Sequence, residues 1–251
     1  QCAPCRRHDP RPGQSTTRYP APWATPIARG IAAKYPDKIV RIHSYTATSN
    51  APPKVRPAEN IWVIFCSGFA GVPFWDDARA RQDPRLAGIV RRLDEWRAIS
   101  SGIVLQEYTS GSYGPALLEH LAAKTRFYAA KGLKGVYMTT GRPANFPGLW
   151  HYVYGNLLWD PEQDAQKLAR GYIRFHYRPA AGPILRYFEL VHERYHDTLA
   201  AGGELNNRYP VGFYREPFAQ EALGCLLEAR RLANAAAREA DVSARERDRR
   251  Q

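Results

Sequence analysis

The sequence predicts an α/β protein built on a parallel sheet. Three observations lead to this prediction. Short runs of apolar and β-branched residues recur within the first 140 residues, segments with helical periodicity separate them, and only helical patterns follow residue 139. Strands that are apolar on both faces and alternate with helices pair in parallel through right-handed crossovers. The 251 residues, 44% of them hydrophobic and 24% charged, have the composition of a folded globular chain.

The elements follow one another in a regular order. A helix over 25–35 ends at the turn residues Pro36 and Asp37, and a later helix places Leu86, Leu93 and Trp96 on one face. The strands are predicted over 38–43, 61–66, 102–107 and 134–139, and the helices between them over 84–98 and 115–131. Four strand–helix units are half of the eight that close a (β/α)8 barrel, so we predict a partial barrel over residues 1–145.

The remaining residues, 146–251, are predicted to form a helical region packed on the partial barrel. One of its helices has Asp160 as the expected N-cap and Pro161 in the first turn. Another carries an apolar stripe from Ile184 to Leu199, and the last covers about 216–240.

The basic charge of the chain does not by itself indicate a function. The formal net charge is +12, and +7 of it lies in residues 1–60. The positive residues are scattered, and no recognition helix, zinc-finger pattern or aromatic RNA-binding motif accompanies them, so we do not expect nucleic acid as a partner.

No apolar run approaches the length of about 18 residues that a membrane span needs. The chain begins at Gln1 without an export signal, and we expect such a signal and a further N-terminal domain upstream.

Four cysteines are too few for a disulfide scaffold at this length. Cys2 and Cys5 form a single CxxC pair, for which a local metal site and a disulfide both remain open. Cys66 follows an apolar strand and Cys225 lies in a helical pattern, so both are expected to be buried thiols.

Reactive and aromatic side chains follow the ends of the predicted strands, where parallel βα folds place their sites. They are His43 and Tyr45 after the first strand, Trp75, Asp76 and Asp77 after the second, Glu107 and Tyr108 at the end of the third, and Thr139, Thr140, Arg142 and Asn145 after the fourth. Aromatic rings stack on sugar faces and carboxylates act on glycosidic bonds, so this set indicates a carbohydrate site.

Each of these residues also fits an ordinary structural role. For Glu107 the alternative is an ion pair to an arginine, and for Asp76 and Asp77 it is helix capping. For His43 it is a hydrogen-bonded position in the core or at the rim, and for Tyr45, Trp75 and Tyr108 it is an apolar contact. Arg142 could form an internal ion pair in place of one to the carboxylate of a uronic acid.

Several segments stand in a recognisable order along nearly the whole chain. They are Cys2-Ala-Pro-Cys5, Lys34-Tyr-Pro-Asp-Lys38, Ala51-Pro-Pro-Lys54, Leu93-Asp-Glu-Trp96, Gln106-Glu-Tyr108, Lys134-Gly-Val-Tyr137, Gly155-Asn-Leu-Leu-Trp-Asp-Pro161, Phe175-His-Tyr177 and Pro179-Ala-Ala181. In this order they resemble the domain-of-unknown-function family numbered 4838, bacterial proteins that look like glycoside hydrolases of the α-glucuronidase and β-hexosaminidase type. The resemblance implies that the four strands are strands five to eight of a barrel, and that a principal acid near strand four lies upstream.

The resemblance implies that the protein hydrolyses a glycosidic bond in a poly- or oligosaccharide, with carboxylates as the catalytic groups. It also implies a secreted or periplasmic protein that uses neither an organic cofactor nor a metal ion. Glu107 is the expected catalytic residue. The expected substrate-binding residues are His43, Tyr45, Trp75, Asp76, Tyr108 and Arg142. Thr139 and Thr140 stand where an acidic or amide residue is expected. That departure favours the alternative, a non-catalytic carbohydrate-binding or structural barrel of the same family.

Overall fold

The computed structural model describes residues 20–52, 56–66, 82, 84–108, 118–139, 146–200 and 213–248. The chain divides into two compact units. The first comprises residues 1–110 and 123–141, and the second comprises residues 111–122 and 142–251.

The first unit contains the strands. In chain order its elements are α1 (Pro20–Lys34), β1 (Val40–Ser44), a 3-10 turn (Thr46–Thr48), β2 (Ile61–Cys66), α2 (Pro84–Arg97), β3 (Gly102–Tyr108), α3 (Leu118–Ala130), of which the residues from 123 onward belong to this unit, and β4 (Gly135–Thr139). The second unit is helical in its described residues. Its elements are α4 (Pro147–Trp159), α5 (Ala165–Tyr177), a 3-10 turn (Arg178–Ala180), α6 (Ala181–Ala200) and α7 (Phe218–Asp248).

The four strands form one parallel sheet in the order β1-β2-β3-β4. The register aligns Val63 with Ile103 and Leu105 with Val136, so that each strand pairs with its neighbour in the sequence. The predicted α/β class with a parallel sheet is therefore confirmed. The apolar character of β2 and β3 is what a parallel sheet needs, because helices cover at least one of its faces.

The core of the first unit lies between the sheet and its helices. The buried residues that pack together include Val63, Phe65 and Leu105 from the strands and Leu93 and Trp96 from α2. The indole nitrogen of Trp96 donates a hydrogen bond to the carbonyl oxygen of Ser49 at 3.0 Å, which satisfies the polar atom of a side chain that is 1% exposed.

Gly102, the first residue of β3, permits a close approach between neighbouring strands. A Cβ atom at this position would lie 2.6 Å from the indole nitrogen of Trp62 on β2. Since that distance is below any real Cβ contact, the sequence needs glycine here for Trp62 to lie across the start of β3.

The structure corrects two predicted helix starts. Helix α1 begins at Pro20 and not at residue 25, because a proline in the first turn needs no hydrogen-bonded N–H. Asp160, the predicted cap of the helix that follows it, instead ends α4, and its carboxylate accepts a hydrogen bond from the backbone of Glu162 at 3.1 Å. The cap of α5 is Asp164, which accepts from the backbone N–H groups of Gln166 and Lys167 at 2.9 and 3.0 Å.

In the second unit, α6 packs against both α5 and α7. Helix α7 continues to Asp248, eight residues beyond the predicted end, and its composition of Ala, Arg and Glu favours helix over its whole length. Among the described residues, no helix combines the length and the apolar character required to cross a bilayer.

Candidate functional site

Alternate residues of β3 project to opposite faces of the sheet, and this alternation decides which side chains can meet. Ile103 and Leu105 belong to the core beneath the helices. Glu107 has the same parity and contacts α3, whereas Gln106 bonds to residues of the neighbouring strands. We call the side of Leu105 and Glu107 the helix face of the sheet and the side of Gln106 its second face.

Glu107, the predicted catalytic residue, lies on the helix face and is 2% exposed. One carboxylate oxygen is 2.5 Å from the ammonium nitrogen of Lys124, and the other accepts a hydrogen bond from the hydroxyl of Tyr128 at 2.7 Å. Both partners project from α3, four residues apart, so that they lie on the same side of the helix.

The Glu107–Lys124 pair is buried, since both side chains are 4% exposed or less. A carboxylate taken out of water needs an opposite charge and hydrogen-bond donors, and α3 supplies both. An ion pair was the alternative to catalysis at Glu107, but its partner is Lys124 and not the expected arginine. The arrangement joins β3 to α3 and directs the carboxylate into the helix layer.

The second face carries a row of polar side chains across three strand ends. The thiol of Cys66 donates to the amide oxygen of Gln106 at 3.2 Å, and the amide nitrogen of Gln106 donates to the hydroxyl of Thr139 at 3.4 Å. We call Cys66, Gln106 and Thr139 the carboxyl-end row. Because the row crosses β2, β3 and β4 near their last residues, it lies where ligands bind in parallel βα folds.

Aromatic and imidazole side chains accompany the carboxyl-end row. Tyr137 pairs in register with Gln106 and is 51% exposed. His43 pairs in register with Ile64, which places it on the second face at the other edge strand, and it is exposed. Tyr45 follows β1 directly and is 49% exposed. The predicted residues His43 and Tyr45 are thus accessible at the carboxyl end of β1.

The other predicted site residues are not tested. Tyr108 ends β3, and nothing is described of its side chain. Trp75, Asp76, Asp77, Thr140, Arg142 and Asn145 lie outside the described residues. Their assignment to a carbohydrate site stays a prediction.

Four residues of this region were not identified from the sequence: Cys66 and Gln106 on the second face, and Lys124 and Tyr128 on the helix face. Two signals could have indicated them. Gln106 breaks an apolar strand directly beside Glu107, and Lys124 and Tyr128 stand four residues apart on the helix that follows β3.

Within the described part of the chain, no cluster of three or more His, Cys, Asp or Glu side chains is arranged to hold a metal ion.

A concave region lies at the opposite end of the strands from the carboxyl-end row. It is a solvent-open pocket of about 390 Å³ near the start of β3, with Asp94, Arg97, Lys131 and Lys134 among its lining residues. The carboxylate of Asp94 accepts hydrogen bonds from Arg97 and Lys131 at 3.0 Å. Basic residues commonly follow helix C-termini and offset the helix dipole. We therefore infer that the charged residues of this pocket serve to pair the ends of α2 and α3 through ion pairs, and we do not assign a ligand to it.

Comparison with known proteins identifies one family. The model of the family described as Domain of unknown function (DUF4838) matches residues 1–189, about three quarters of the chain. No curated protein matches the sequence, and no solved structure matches it. The matched residues include the whole parallel sheet together with α4 and α5. The chain belongs to the DUF4838 family.

Proposed function

We propose that this chain binds carbohydrate on the second face of its sheet, as the last four strands of a barrel of the (β/α)8 glycoside hydrolase type. The observation that carries the proposal is the carboxyl-end row. It brings an amide and a hydroxyl to neighbouring strand ends, and sugar hydroxyls need partners that both donate and accept hydrogen bonds. The exposed ring of Tyr137, in register with Gln106, offers the flat apolar surface on which a sugar ring stacks.

The predicted loop residues belong to the same proposal. Trp75, Asp76, Tyr108 and Arg142 stay predicted contacts of the sugar, beside His43 and Tyr45. A location outside the cytoplasm and an N-terminal domain ahead of the strands are also proposed, on the resemblance alone.

Replacement of Tyr137 by alanine tests the binding proposal. Loss of a stacking ring should weaken binding of an oligosaccharide by about fivefold, the effect of removing about 1 kcal/mol of aromatic contact. The measurement is titration calorimetry of the full chain against a panel of neutral and acidic oligosaccharides.

Tyr35→Ala is the matched control, because Tyr35 is 49% exposed but precedes β1, at the other end of the strands. Binding by the wild type that Tyr137→Ala weakens and Tyr35→Ala preserves supports the proposal. An absence of binding across the panel, or equal loss in both variants, contradicts it.

Hydrolysis is the second candidate function. Glu107 favours it, because among the described residues it is the carboxylate placed at the carboxyl end of a strand, and hydrolysis of a glycosidic bond requires carboxylates there. Its direction toward α3 favours a positioning role, since a general acid or nucleophile must reach the sugar itself.

The variants Glu107→Gln and Lys124→Met separate these two roles. Both remove the buried ion pair, but only the first removes the carboxylate. If Glu107 acts on the substrate, turnover of aryl glycosides and uronides should fall by about 10²–10⁴ in Glu107→Gln and much less in Lys124→Met. Equal effects assign Glu107 to positioning, and an absence of turnover by the wild type leaves carbohydrate binding as the function.

A further inference from the structure

Helix α4 carries no Asp, Glu, Lys or Arg residue from Pro147 to Trp159, although one of its sides is exposed. A helix that is apolar on all sides is typically buried, with neighbours around its whole circumference. In α4, however, Trp159 is 91% exposed, and Tyr152 and Leu158 are exposed as well. Exposed Trp and Tyr side chains on an apolar surface mark sites of association, because these residues contribute most to the energy of interfaces.

Helix α5 extends this exposed surface, because it runs antiparallel beside α4. The ring of Tyr172, in the second half of α5, is 5.3 Å from that of Tyr152 in the first half of α4. At the other end, Gln163 donates to the carbonyl oxygen of Asn156 at 3.1 Å. Phe175, one turn after Tyr172, is 72% exposed. We call Tyr152, Gly155, Trp159, Tyr172 and Phe175 the ring face.

Gly155 lies between the two exposed rings of α4. Tyr152, Gly155 and Trp159 occupy positions i, i+3 and i+7, so they follow one side of the helix. A glycine inside a helix destabilises it relative to alanine. A Cβ atom on Gly155 would meet no other atom within 4 Å, so packing within the chain gives no reason for glycine here. A second backbone that approaches α4 closely would give one.

The two ends of the ring face carry opposite charges. Asp160 and Glu162 follow the C-terminal end of α4, whereas Arg174 and Arg178 lie at the end of α5, beside the start of α4. All four side chains are exposed, and none of them forms an ion pair within the described residues. The guanidinium of Arg178 is 5.4 Å from the ring centre of Phe175, which joins the basic end to the ring face.

We propose that the ring face binds the ring face of a second copy of this chain, in a two-fold dimer whose α4 helices run antiparallel. Tyr152 and Trp159 are equally far along α4 from the point between Gly155 and Asn156. A two-fold axis through that point brings Tyr152 of one copy to Trp159 of the other, and Gly155 lets the two backbones approach closely.

Charge complementarity favours a second copy as the occupant. The same axis sets the acidic end of each ring face opposite the basic end of the other, twice in the dimer, while the uncharged rings meet at the centre. A ligand of one charge would be repelled at one of the two ends. The inference does not depend on carbohydrate binding, since the residues belong to the helical unit.

Sedimentation equilibrium of the full chain between about 1 and 100 µM tests the proposal, because an interface of micromolar affinity assembles over this range. We expect the wild type to dimerise. Gly155→Leu should weaken dimerisation at least about tenfold, since two introduced side chains overpack the interface at the axis. It should leave the single chain folded, because open space surrounds the position and leucine favours helix.

Gly224→Leu is the matched control. Gly224 is also exposed within a helix, and a Cβ atom there would meet nothing within 4 Å, but it belongs to α7. Its replacement should leave dimerisation unchanged. Circular dichroism of each variant establishes that α-helix content is retained.

Two charge-reversed proteins test the orientation of the dimer. Arg174→Glu/Arg178→Glu makes both ends of the ring face acidic, and Asp160→Lys/Glu162→Lys makes both ends basic. Each protein alone should be largely monomeric, because like charges meet at both ends of the interface, and an equimolar mixture should restore the dimer.

Three results would overturn the proposal. The first is a wild type that stays monomeric over the whole range, and the second is a dimer that Gly155→Leu and the charge reversals leave unchanged. The third is a neutral oligosaccharide that binds the monomeric wild type and no longer binds Trp159→Ala, which would assign the ring face to a sugar.

Discussion

At the scale of single residues, the position of Glu107 could be predicted and its direction could not. The residue ends an apolar strand, and this made it conspicuous in the sequence. However, Val104 and Leu105 project to opposite faces of the sheet and are both apolar. The sequence of the strand therefore does not show which of its side chains face the helices. The partners Lys124 and Tyr128 are 17 and 21 residues away along the chain, and only the packing of α3 on β3 brings them to the carboxylate.

The buried pair predicts a characteristic response to mutation. Lys124→Met should destabilise the sheet-containing unit by about 3–5 kcal/mol, because it leaves the carboxylate of Glu107 buried without its counter-charge. Glu107→Gln/Lys124→Met should recover most of that loss, since no charge remains buried and the introduced amide oxygen can still accept from Tyr128. Urea unfolding of the two single variants and the double variant measures the coupling.

Additive losses would contradict this prediction. If the losses of the two single variants simply add in the double variant, the two side chains are energetically independent, and the ion pair does not stabilise the fold.

At the scale of elements, the strands were predicted more accurately than the helix boundaries. β2 begins and ends at the predicted residues, and β4 differs by one, because a run of β-branched and aromatic residues has few other ways to be buried. The predicted start of α5 was wrong, because the segment offers both Asp160 and Asp164 as N-caps. Which one serves depends on where α4 ends, and that is set by packing within the helical unit.

The corrected cap leads to a prediction about α5. Asp164→Ala should cost about 1 kcal/mol of stability, because it removes the acceptor for two backbone N–H groups at the helix start. Asp164→Asn should retain most of the stability, as asparagine is also a good cap. Thermal unfolding followed by circular dichroism at about 222 nm measures the differences.

Asp160→Ala is the control at the position that the sequence favoured. Since Asp160 accepts from a turn N–H and does not cap the helix, its replacement should cost less than that of Asp164. A larger loss of stability in Asp160→Ala than in Asp164→Ala would contradict this cap and would indicate that the helix starts at Asp160.

At the scale of the whole molecule, the positive charge is distributed unevenly between the two units. Residues 1–110 and 123–141 hold 20 Lys and Arg against 9 Asp and Glu, whereas the helical unit holds 16 against 15. The net charge of +12 is therefore almost entirely a property of the unit that carries the sheet. A positive potential around a binding face attracts anionic ligands and repels cationic ones, whatever the individual contacts.

If this unit binds sugars as proposed, its charge should select acidic ones. An oligouronide should bind more tightly than the neutral oligosaccharide of the same linkage at about 0.1 M salt, where the Debye length is about 10 Å, and the difference should shrink at about 1 M, where it is about 3 Å. Binding of the neutral sugar should change little between the two conditions, because its contacts are hydrogen bonds and ring stacking. Titration of both ligands at both salt concentrations measures this, with a DNA duplex of equal charge as the third ligand. Tighter binding of the duplex, with a steeper salt dependence, would assign the charge to nucleic acid instead, and equal salt effects on the neutral and acidic sugars would show that the charge has no part in sugar selection.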